Sequence, residues 1–163
     1  MMFASNSITF LLSCAALATT ASALEPWLIH ELSTFSPPDR PGRTLSSIVN
    51  VTISDPNELT PVVALCGATW TFQEPPYGKV YDCSEVPGAQ WAFAMLEPDD
   101  GEPSPTTNFK LHFELHKDGQ LFVGEENFKV GDNMRGLCSA GGVCSFSLKE
   151  ENTPFPVKQV QVV

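Results

Sequence analysis

His112, Glu114 and His116 occupy every second position of one run, FKLHFELHK. Residues two apart in an extended strand point the same way, about 7 Å from one step to the next. Two imidazoles and a carboxylate on one face are donor types that transition metals accept. The spacing is long for two rings to reach one ion, so Glu114 would have to bridge them. A metal-dependent enzyme built on His112, Glu114 and His116 is thus one reading. The preferred reading is a solvated outer face, because an antiparallel strand with one wet side alternates in this way.

Other chemistry is thinner. Ser139 lies in GLCSAGG, which is not G-x-S-x-G, and no histidine-plus-acid pair can be assigned to it, so it reads as a turn residue. Asp99, Asp100 and Glu102 are close in sequence, but glycoside chemistry needs two carboxylates held at a fixed separation. They fall in EPDDGEPSPTT, an acidic, proline-rich segment expected to be mobile. His30 beside Glu31 reads as structural or solvated. The expectation is a non-enzymatic protein with no cofactor and no metal.

The thiols come next. Cys66 and Cys83 enclose 16 residues, and Cys138 and Cys144 enclose 5. No histidine lies within either pair and C-x-x-C is absent, which argues against zinc and against redox chemistry. Four cysteines allow three connectivities. The sequential pairing is favoured because each pair flanks a local strand–turn segment that can close. Trp70, Phe72 and Tyr77 lie inside the first loop. They are candidates for a displayed binding patch, since Trp and Tyr are enriched at binding hot spots, or else they cap the core.

The elements that must position these residues are strands. Phe109, Leu111, Phe113 and Leu115 alternate with polar residues, and Asp118-Gly119 then suits a type I′ hairpin turn. The return strand begins at Leu121–Val123, with Phe128–Val130 as its continuation past a polar interruption. Val49–Ile53, Trp91–Met95 and Cys144–Leu148 alternate in the same way. Trp27–Leu32 opens the set and Val157–Val163 closes it. Val62–Cys66 and Lys79–Cys83 are shorter candidates. No helical stripe is present, and the 14 prolines and 11 glycines fall mostly between the runs. The pattern predicts an all-β antiparallel barrel or sandwich stapled by two disulfides.

The chain begins with an uncharged apolar run, about Ile8 to Ala18, and Ala21-Ser22-Ala23 follows. That is the pattern of a secretory signal peptide cleaved after Ala23, leaving residues 24–163 as one secreted, extracellular domain. The run is too short to span a bilayer. Cys14 leaves with it, so four cysteines remain, an even number that reads as disulfides in a secreted chain. Asn50-Val51-Thr52 is an acceptor triplet for N-glycosylation. The formal charge of −10 argues against nucleic acid and anionic lipid as partners.

Several of these features stand in a familiar order. Trp27-Leu28-Ile29 opens the first strand, and Cys66 ends an apolar strand. Tyr81-Asp82-Cys83, the aromatic run Trp91-Ala92-Phe93, and Cys138 and Cys144 across a turn with Gly141 and Gly142 follow. In order and spacing this resembles the fungal major-allergen family typified by the Alternaria alternata major allergen, over most of residues 27–163. The resemblance implies a secreted β-barrel with the two sequential disulfides. It also implies a role as allergen or elicitor, binding a host defence protein or a small phenolic ligand, with no catalytic residues. Two departures are visible. The late cysteines are closer together than usual, and no cysteine lies between Leu24 and Leu65 to link a covalent dimer. A structural cell-wall protein, made durable by its staples, is a further reading.

Overall fold

The alternating runs become eleven strands in the computed structural model, which describes residues 24–38 and 46–162. The signal peptide and Cys14 lie outside the described residues. The strands are β1 Trp27–Ser36, β2 Ser46–Ser54, β3 Ala64–Thr71, β4 Val80–Asp82, β5 Ala89–Leu96, β6 Asn108–Lys117, β7 Gln120–Lys129, β8 Met134–Cys138, β9 Cys144–Leu148, β10 Phe155–Val157 and β11 Gln159–Val162. One 3-10 turn, Glu150–Asn152, is the helical exception among these residues.

Every strand pairing is antiparallel. One sheet runs β3-β2-β1-β9-β8, with β10 also beside β1, and the other runs β11-β7-β6-β5-β4. The two faces pack as a sandwich, and the barrel expected from the sequence resemblance is not closed. Two devices join the sheets without a continuous ladder. At one edge the Cys66–Cys83 disulfide ties β3 to the end of β4. Elsewhere the chain passes from β10 to β11 through the single residue Lys158, and so changes sheets. The expected terminal strand is therefore two short ones. Cys138–Cys144 closes the β8–β9 hairpin, so both sequential pairings hold.

The β6–β7 turn is as the sequence predicts: Asp118 and Gly119 both have positive φ, 51° and 73°, the backbone of a type I′ turn. It sets the register, pairing Lys117 with Gln120 and His112 with Glu125. The polar interruption in β7 is accordingly part of the strand.

Aromatic side chains fill the space between the sheets. Trp27 and Trp91 meet edge to face at 4.7 Å, Phe93 stacks on Phe113 at 6.3 Å, and Phe128 bridges Phe109 and Phe155 at 5.9 and 5.4 Å. Such offset and edge contacts add to the large apolar area each ring removes from water. Gly124 makes room for Trp27. A Cβ there would lie 2.9 Å from the indole and 2.8 Å from the Lys158 carbonyl oxygen.

The segment 97–107 is anchored, where the sequence suggested mobility. Lys110 and Asn127 hold Asp99, and the Asn108 side-chain amide donates to the carbonyls of Asp100 and Glu102. Composition missed these contacts because they come from residues of the neighbouring strands.

Candidate functional site

The outer face of the β6–β7 hairpin carries one connected row of polar side chains. The alternation of β6 turns Lys110, His112, Glu114 and His116 outward while Phe109, Leu111, Phe113 and Leu115 are buried. The hairpin register then brings Asn127 opposite Lys110 and Glu125 opposite His112. Lys110 Nζ donates to Asp99 Oδ1 at 2.7 Å and reaches Glu125 Oε2 at 3.4 Å. Glu125 Oε1 lies 2.8 Å from His112 Nδ1, and His112 Nε2 lies 3.3 Å from Glu114 Oε1. Glu114 Oε2 is 3.6 Å from His116 Nε2. Asp99 also pairs with Asn127, whose Nδ2 donates to Oδ2 at 2.6 Å.

Carboxylates alternate with lysine and imidazole nitrogens along this row. The Lys110 and Asn127 hydrogen bonds hold the Asp99 carboxyl below the usual carboxylate range, and the Asp99 bond raises Lys110. Both nitrogens of His112 face carboxylate oxygens, which only accept.

The rings of His112 and His116 therefore lean on Glu114 rather than converging on a shared point. Among the described residues, no group of three or more His, Cys, Asp or Glu side chains is arranged to hold a metal ion. Asp99 and Asp100 engage different lysines, Lys110 and Lys129. Ser139 works in its turn, accepting at its carbonyl from Gly142 and donating its N–H to the Val143 carbonyl. His30 Nε2 sits 2.8 Å from Ser54 Oγ, within the first sheet.

The three aromatics of the first stapled loop do not form a patch. β3 continues past Cys66 to Thr71, so Trp70 shares the inward face of Ala64, Cys66 and Ala68 and is only 7% exposed. Phe72, just beyond the strand, is 93% exposed. Tyr77 is half-buried against the core and bridges to Met95. Burial, with the Glu97 carboxylate nearby, pushes its phenol up to about 12, and burial also raises Tyr81.

These are the chain's two tyrosines, which makes a clean titration possible. Absorbance of the folded protein should show phenolate forming above pH 10 for both, with Tyr77 last. A raised phenol favours the fold fully below pH 10, and that contribution is lost as pH rises through about 12. A phenolate midpoint at or below 10 for Tyr77, identified by Tyr81→Phe, would contradict the packing described.

Two hollows lie among the described residues. A partly open pocket of about 40 Å³ is lined by residues including Asp55, Val86, Trp91 and Leu115. A hollow of about 410 Å³ beside the hairpin turn is open to solvent and lined by Gln90, His116 and Asp118 among others. Among the described residues no helix is long and apolar enough to cross a membrane. Compared with family models, curated proteins and solved structures, the chain has no match in any of the three.

Proposed function

We propose that the protein is a secreted, non-enzymatic recognition module that binds a partner protein on its outer surface. The leader-like residues 1–23 and the two disulfides support an extracellular, oxidising destination. The order of strands and cysteines, resembling the fungal major allergens, supports a host extracellular protein as the partner. The aromatic rings packed between the sheets carry the choice of surface over cavity. Pockets that take small molecules typically hold about 300–1,000 Å³ in a concave, mostly apolar site. Of the two hollows described, the one beside Trp91 is about 40 Å³ and the one of about 410 Å³ is open to solvent. Neither of these two hollows favours a small phenolic ligand.

The β6–β7 face is the recognition surface in this reading. Its side chains are held in place by one another before a partner arrives, which lowers the entropy lost on binding. With a net charge of −10, the natural complement is a basic protein surface.

The test is retention. Residues 24–163, oxidised and immobilised, should capture a host extracellular protein whose binding weakens with salt. Glu114→Lys with Glu125→Lys should slow association about tenfold or more. Capture of nothing, or capture indifferent to both salt and charge reversal, would overturn the proposal. Retention in wall fractions without a soluble partner would favour the structural reading instead.

A further inference from the structure

The outer face of the first sheet differs in kind from the charged hairpin face. Two adjacent rows cross it. Thr69, Ile48, Phe35, Ser145 and Leu137 form one, and Gly67, Asn50, Ser33, Ser147 and Arg135 form the next. The only charged member of the two rows is Arg135, at the far end, paired with Glu150. Phe35 is 38% exposed and Leu137 74% exposed. A charge-poor face with partly exposed apolar side chains is a candidate contact surface.

Asn50 stands exposed on that face, on β2, one strand in from the β3 edge and flanked on both sides. Its lateral neighbours are Gly67 and Ser33, two of the smallest residues. The Asn50 amide leans over Gly67, where a Cβ would lie 3.2 Å from Oδ1. Asn50-Val51-Thr52 is also the chain's single N-x-S/T triplet.

We infer that Asn50 carries an N-linked glycan, and that its first sugars lie on Phe35 and Ile48 and cover this face. Phe35 is the diagonal neighbour of Asn50 across the β1–β2 pair, about 7–8 Å away, a distance an aromatic side chain and a sugar span together. The C–H face of a pyranose packs on the electron-rich face of an exposed ring. Attachment takes the oligosaccharide from a lipid-linked pyrophosphate donor. The bond from the anomeric carbon to the phosphate oxygen breaks, and the lipid pyrophosphate leaves with its electron pair. A new bond forms from that carbon to Asn50 Nδ2, which gives up one proton. The glycan assigns the first sheet to shielding and leaves the hairpin face open to a partner.

This inference rests on the secretory reading, so the experiment separates the two. Residues 1–163 with their own leader, and residues 24–163 behind a strong foreign leader, are expressed in a eukaryotic secretory host. Intact mass is measured on secreted and membrane-enclosed pools. Both forms should carry a glycan-sized increment, removed by an amidase that converts Asn50 to Asp. Asn50→Gln and Thr52→Ala should abolish it, and Thr52→Ser should retain it. No increment behind the foreign leader overturns the site. An increment there but none with residues 1–23 overturns only the leader. Phe35→Ala should destabilise the glycosylated form more than the enzymatically stripped form, and equal losses would overturn the packing.

Discussion

Trp27→Ala should cost about 3–5 kcal/mol of folding stability, the range for emptying a large aromatic site in a packed core. Trp27 is fully buried on β1 of one sheet, and its main ring contact is Trp91 on β5 of the other, so its loss leaves a void between layers. Gly124 on β7 sharpens the test, because the indole occupies the space that a Cβ there would need. Gly124→Ala alone should cost about 1–3 kcal/mol through overpacking. In a Trp27→Phe background, which lacks the benzo-ring atoms nearest Gly124, part of that penalty should disappear. The Lys158 carbonyl remains in the way, so it should not vanish. Denaturant unfolding of the four proteins gives the coupling. Additivity within about 0.5 kcal/mol would show that ring and glycine do not share the space.

That glycine also marks where the sequence stops being legible. Alternation in FKLHFELH placed β6 and its two faces correctly, and Asp118-Gly119 named its turn. Counting back from that two-residue turn sets His112 against Glu125, so part of the polar row could have been read in advance. Gly124 carries no such signal: a glycine inside a strand reads as weakness, and only the indole from β1 explains it. Trp70, which the sequence leaves between a displayed patch and a core cap, is hard to place for a related reason. Ala64, Cys66, Ala68 and Trp70 do alternate inward, but Gly67 and the small residues blur the strand, which invited an end at Cys66. β8, with Gly136 at its centre, was missed altogether. Length and alternation also could not choose between barrel and sandwich. That outcome depends on Lys158, where one strand-like run divides between the sheets.

Positions far apart in sequence give the two outer faces different chemical characters. β6 and β7 supply charge that is already paired, and β1, β2 and β3 supply small and apolar residues around one exposed asparagine. A sandwich suits this division, since each sheet turns one side inward and leaves the other free to differ.

Removing Cys66–Cys83 by a double change to alanine should lower stability by about 3 kcal/mol, within the 2–5 kcal/mol seen when a native bond is lost. Removing Cys138–Cys144 should cost less, because its closed loop is shorter: the sequence separations are 17 and 6. The larger contrast is in location. Cys66 is buried on β3, and the bond joins it to the end of β4 in the opposite sheet. Beside it, the Ser84 N–H donates to the Leu65 carbonyl at 2.7 Å, and the Leu65 N–H donates to Ser84 Oγ at 2.9 Å. These bonds link the same two sheet edges that the staple joins. Cys138 and Cys144 are the last register pair of β8 and β9, and the Ser139 N–H already donates to Val143 across the turn. Hydrogen exchange should therefore show the first change loosening amides along the β3–β4 edge in both sheets. The second should loosen only the 138–144 hairpin tip. If the second change exposed the β3–β4 edge, or the first left it protected, the cross-sheet role of Cys66–Cys83 would be wrong. If the role holds, the sandwich is closed along that edge chiefly by one covalent bond, and reduction should open it there before the core unfolds.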